Sequence, residues 1–193
     1  IAGIGSINSS VTAGLKANGQ RILGGDIELR LTQRNATHKQ RLWLTKNTKA
    51  LSEVVKMRAM ASSRENYENR ILVELKAVDH SYPLNAEFIA NPGKALSELL
   101  KKQNGTWGAV VDASLLSRLN LEIGDRIKVG EIFYDLRGTV ANEPDRIASM
   151  FSFGPRLLVA YPSLLETGLI QPGSQIQYYF RLLLHSSITY ETW

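Results

Sequence analysis

The 193-residue sequence is 44% hydrophobic and 21% charged, with three His and no Cys. That composition suits a folded chain of one large or two small domains, and it excludes disulfides, thiolate catalysis and Cys-based zinc sites. The net charge of +5 is uneven: residues 1–50 hold eight Lys or Arg against two acids, residues 51–193 fifteen against sixteen, and no apolar run approaches the roughly 20 residues that span a bilayer.

The opening "IAGIGSI" starts on Ile1 rather than Met, as expected of a piece of a longer protein. Ile7, Val11, Leu15 and Ile22 fall near helical spacing, predicting a helix over 5–22, with Gly24 or Gly25 ending it. Ile27, Leu29 and Leu31 alternate as a half-buried strand. Thr37 can cap a short helix through Leu42 and Trp43. Val55 to Ala59 and Ile71 to Ala77 read as an antiparallel pair joined by the polar turn "RENYEN". "HSYPLNAEFIANPG" reads as a loop and "KALSELLKKQ" as a short amphipathic helix.

"TWGAVVDASLLSRL" predicts a strand and then a helix with Asp112 as N-cap. Strands follow at 126–129, 132–140, 156–160 and 175–184, with a helical turn in "PSLLETGL". The pattern is α+β, not doubly wound. It predicts a mixed α/β lobe over 1–105 plus 173–193, and a smaller β-rich lobe inserted over 106–172, the last strand rejoining the first sheet.

The search for chemistry returns little. His38, His80 and His185 share no metal-ligand spacing, and no phosphate-binding glycine loop or nucleophile elbow is present. "LNLEIGDRIKV" resembles the swapped-hairpin phrase of AbrB-like DNA-binding domains. Its four cations and four acids over 114–138 cancel, however, which leaves no basic surface for a phosphate backbone. No nucleic acid, metal or cofactor is expected. The residues singled out for contact with a partner or substrate are Glu143, Asp145 and Arg146 of "EPDR" and the aromatic and thioether side chains of "ASMFSFGP", Met150, Phe151 and Phe153. Trp43 and Trp107 read as packing residues.

Whole phrases also share their order with a known family. "ILGGDIELRL", "ELKAVDHSYPL", "EPDR", "GPR" and "TGLIQPGS" resemble the first large periplasmic domain of YbbP-like ABC-transporter permeases, in the MacB and FtsX-like permease superfamily, from about Ser6 to Leu184. The resemblance implies a porter-like lobe with an inserted β-rich lobe, on the periplasmic side of the bacterial inner membrane, between flanking transmembrane helices. It implies a separate cytoplasmic ATPase, a hydrophobic, lipid or lipoprotein-type substrate, an esterase or lipase as a possible periplasmic partner, and no catalysis by the domain itself. A scattered active site that sequence does not reveal is the alternative, with Glu143 and Asp145 as its carboxylates, and DNA binding a more remote one.

Overall fold

The computed structural model describes residues 25–63, 68–146 and 154–185. The helix expected over 5–22, most of the "RENYEN" turn, and Met150, Phe151 and Phe153 lie outside the described residues. The elements run β1 (Ile27–Thr32), α1 (His38–Asn47), β2 (Ala50–Ser63), β3 (Arg70–Val78), β4 (Ile89–Asn91), α2 (Leu96–Leu100), β5 (Trp107–Val111), α3 (Ala113–Leu119), β6 (Arg126–Val129), β7 (Ile132–Asn142), β8 (Arg156–Ala160), α4 (Tyr161–Glu166) and β9 (Gln177–Leu183). The mixed sheet with helices on it is the α+β architecture expected. The short β4 was not: "FIAN" carries no alternation long enough to show, and it becomes a strand by pairing with the end of β7.

Strand pairing closes on itself. β2 pairs β3, β3 pairs β8, β8 pairs β5, β5 pairs β7, β7 pairs β6, and β6 returns to β2 through Ala61↔Val129. β2 makes this possible by its length. Its first half also pairs with β9, and β9 with β1, so an open wing β1–β9 extends from the ring. The first and last described strands meet at this wing: Ile27 faces Leu182 in register, and Leu184 N–H donates to the Asp26 carboxylate at 2.7 Å. Hydrogen-bonded pairs therefore run across both edges of 106–172, since β8 and β6 pair with β3 and β2.

Period-2 alternation sorts the side chains. Val73, Leu75 and Ala77 of β3 join Ala59, Leu157, Val159, Ile127 and Tyr134 in one core, which α3 and α4 cap with Leu115, Leu119 and Leu164. The opposite face of the same strands carries Val54, Val78, Val110 and Leu158 beneath α2, where Leu96, Leu99 and Leu100 are buried. The central strands are thus covered on both sides, and any polar residue on them must find a partner inside.

Two glycines are dictated by geometry. Gly124, at φ +105°, turns the chain from α3 into β6; its N–H donates to Leu136 O and the Asp125 carboxylate accepts from Glu122 N–H, each at 2.8 Å. Gly108 lies under α2: a Cβ there would stand 1.9 Å from Leu99 O and 2.8 Å from the Arg137 side chain. Gly108→Ala should lift α2 off β5 and cost about 3 kcal/mol, read as a lower urea midpoint; an unchanged midpoint would show that α2 has room to shift.

Candidate functional site

The "EPDR" turn follows directly from β7, and Arg146 N–H closes it on Glu143 O at 3.2 Å. Of its three candidate contact residues the structure buries Glu143 and Asp145 and leaves Arg146 about half exposed. The side chains of Glu143 and Asp145 are 0% and 2% exposed, and both point at the sheet face that carries Lys76. Arg146 pairs with Asp112, its two terminal nitrogens 2.7 and 3.0 Å from the two carboxylate oxygens. Asp112 also accepts from Arg156 N–H at 2.8 Å. It stands at the N-cap of α3 but makes no side-chain cap bond there; the expected cap is replaced by a brace between β8 and the turn. Thr37 does cap α1, in a reciprocal box with Gln40.

Lys76 sits at the centre with no exposed surface. Its Nζ donates to Glu143 Oε1 at 2.6 Å, Asp145 Oδ1 at 2.7 Å and Tyr82 OH at 2.8 Å. From these two acids the pairs continue outward in alternating sign. Arg156 Nε reaches Glu143 Oε2 at 3.0 Å and its Nη1 reaches Glu74 at 2.6 Å. Arg181 Nη2 reaches Asp145 Oδ2 at 2.6 Å and its Nε reaches Glu28 at 3.0 Å. The row Glu74–Arg156–Glu143–Lys76–Asp145–Arg181–Glu28 spans β3, β8, the turn, β9 and β1. Lys56 stands directly opposite Lys76 across β2 and β3, an unfavourable like-charge pair that Asp145 offsets between them.

The electrostatics follow from burial and pairing. Burial pulls the Lys76 ammonium down to about 8 against the opposing pull of Asp145 and Glu143, so it is mostly protonated at neutral pH. Burial would raise the Asp145 carboxyl, but Lys76, Arg181 and Lys56 together hold it well below the usual carboxylate range. Burial, followed by the two carboxylates, drives the Tyr82 phenol strongly upward, so it donates and stays neutral; its O–H donates to Asp145 Oδ1 at 2.7 Å. Chemically this is a rigid, satisfied clamp. It joins residues 143, 145 and 156 to strands on the other side of the expected lobe boundary.

Lys76, Tyr82, Arg156 and Arg181 were not singled out from sequence. Beside the clamp, Lys56, Met57, Arg58, Glu74, Gln177 and Tyr179 are among the residues lining an open cleft of about 480 Å³. On the far side of β1 and β9, Leu29, Leu31, Trp43 and Phe180 line a smaller apolar groove. Trp43 was expected to pack and is instead 52% exposed, with Leu44 the buried residue of α1. Among the described residues no group of three or more His, Cys, Asp or Glu is placed to hold a metal, and no helix is long and apolar enough to cross a membrane.

No family model matches the sequence. Over 181 residues, 94% of the chain, it is 28% identical to the uncharacterized ABC transporter permease YbbP of Escherichia coli (strain K12), and the chain spans 21% of that relative's length. Two solved structures share the fold. The extracellular domain of the noncanonic ABC-type transporter YknZ from Gram-positive bacteria has a TM-score of 0.50 at 10% identity, covering 75% of this chain and 72% of that one. The periplasmic region of MacB from Actinobacillus actinomycetemcomitans has a TM-score of 0.50 at 13% identity, covering 86% and 80%. The resemblance read from the sequence phrases is the one these comparisons find, and the fold is that of the MacB periplasmic region.

Proposed function

We propose that this chain is the periplasmic domain of an ABC-transporter permease, and that it passes the motion of flanking transmembrane helices to a substrate or partner outside the membrane. The observation that carries this reading is the match along 94% of the chain to part of a permease, with the MacB periplasmic fold beneath it. The wing agrees with it: β1 and β9 pair at the sheet edge, as suits a domain inserted between two neighbouring spans. ATP would be hydrolysed by a separate cytoplasmic subunit, and a hydrophobic, lipid or lipoprotein-type substrate, or an esterase or lipase partner, would meet the domain on the periplasmic side. The domain itself would not be catalytic; Glu143 and Asp145, its most plausible carboxylate pair, are consumed by Lys76, Arg156 and Arg181.

Motion in this reading is that of one body. Strand pairs and the clamp both cross the edges of 106–172, so the inserted lobe is a structural unit that travels with the rest. The parent gene should encode apolar segments of about 20 residues on both sides of this chain; their absence would sink the reading. Spin labels at Thr45→Cys and Ser117→Cys, both exposed, test the motion in the full-length permease with its ATPase. The distance between them should stay constant between the ATP-bound and nucleotide-free states, while the distance from Thr45→Cys to a second periplasmic domain changes. A shift between the two labels themselves would place the moving joint inside this domain.

A further inference from the structure

Asp145 has no acceptor capacity left. Oδ1 accepts from Lys76 and Tyr82, and Oδ2 accepts from Lys76 and Arg181. The next cation outward, Lys56, reaches it only at 3.7 Å, beyond hydrogen-bond distance. The Lys56 side chain is 19% exposed and its Nζ lies over the Tyr179 ring, 4.8 Å from the centroid, with no hydrogen bond to any of the described residues. A largely desolvated ammonium with three donors to place is costly unless something accepts from it.

Its donors face the open cleft. Among the described residues the charged lining is Lys56, Arg58, Arg156 and Glu74. Arg156 is engaged by Glu74 and Glu143, and with Lys56 the row behind balances at four cations and four acids, so Arg58 is the cation that the lining adds outside that row and Lys56 the one whose donors are unplaced. The remaining walls offer neutral donors. The Thr32 hydroxyl and the amides of Gln33, Gln175 and Gln177 line the cleft, and Gln177 uses its Oε1 on Tyr179 OH at 2.7 Å, which leaves its NH₂ to donate. Donors that converge from several walls suit a tetrahedral group with three or four oxygens better than a planar carboxylate.

We infer that this cleft is a binding site for a phosphate group, with Lys56 as its principal donor and Arg58 and the glutamine amides as supporting ones. The site does not depend on the permease reading; it stands on the geometry of β2 and β9. The phosphate could belong to a soluble ester or to the headgroup of a phospholipid, and the ligands used in the test separate these sources.

The folded domain would be titrated with inorganic phosphate, with glycerol phosphate and with glycerophosphoglycerol, each against chloride at matched ionic strength, while amide and lysine Nζ resonances are followed. A saturable shift confined to Lys56, Arg58 and residues 175–179 is expected. A preference for the diester points to a lipid headgroup, and a preference for the free ion or monoester to a soluble ligand; either supports the site. Lys56→Gln should weaken binding roughly tenfold, the loss of a charge-assisted hydrogen bond, and Arg58→Gln should weaken it by a smaller factor. Lys39→Gln, the same charge change on exposed α1, should leave it unchanged. No saturable shift beyond chloride with any of the three ligands, or equal weakening by Lys39→Gln and Lys56→Gln, would overturn the assignment.

Discussion

Lys76→Met should lower the free energy of unfolding by about 3–5 kcal/mol, the range for breaking a buried ion pair by removing one partner. The substitution fits the space and keeps the apolar stem. What it removes is the cation between Glu143 and Asp145, leaving two buried carboxylates with one arginine each and two unmet acceptors. Urea denaturation would measure it. The triple variant Lys76→Met, Glu143→Gln, Asp145→Asn should regain part of the loss, because the desolvation cost of the acids disappears with their charge. If Lys76→Met alone falls within about 1 kcal/mol of the parent, the scale of an exposed pair, the clamp does not hold the "EPDR" turn to the sheet.

The same residues show where sequence reading stops. Alternation through Ile71, Val73, Leu75 and Ala77 identifies β3 correctly and, by the same rule, assigns Glu74 and Lys76 to water. That rule assumes a strand with one wet face. Here α2, β4 and the "EPDR" turn cover the other face, and nothing local in β3 announces them. A signal did exist in the chemistry. Lys76 in "LVELKAV", Arg156 in "PRLLVA" and Arg181 in "YFRLL" are each the single cation of a largely apolar stretch, and a cation buried in that setting requires a carboxylate. "EPDR" offers two acids in three residues. Matching the three to the two would have found the clamp without coordinates. The clamp's position on the face and the lateral order of strands, by contrast, depend on contacts more than 60 residues apart in sequence, such as Lys76 with Glu143.

The α+β class and most strands were legible because their apolar residues alternate, and β9 pairs with β1 and β2 as the expected return of the last strand to the first sheet requires. The closed ring was not legible. It depends on β2 continuing to Ser63, long enough to serve β9 at one end and β6 at the other. Trp43 failed for a related reason. A Trp beside Leu44 reads as core, but one buried residue suffices to seat α1, and the groove beside it leaves the indole half in solvent.

Acid should destabilise this domain through Asp145. Lys76, Arg181 and Lys56, acting against burial, hold its folded-state carboxyl below the value it has in the unfolded chain, about 3.9. As pH falls below about 5, the unfolded chain begins to take up a proton that the native state refuses, so the unfolded state binds more protons and stability drops. The contribution is complete above the unfolded-state value and is lost progressively as pH falls from there toward the folded-state value, with a slope of up to about 1.4 kcal/mol per pH unit for one proton. Asp145→Asn cannot take part in that uptake. It should be less stable than the parent at pH 7 by about 3 kcal/mol, because Lys76 and Arg181 lose their shared anion, and its stability should fall less steeply with acid, so that the two curves converge. Unfolding free energies measured in urea from pH 7 to about pH 3 decide the matter. Parallel curves would mean that the Asp145 carboxyl is unshifted by folding, and a parent that gains on the variant as pH falls would mean a carboxyl kept neutral in the folded chain; either result would require the alternating row of charges to be redrawn.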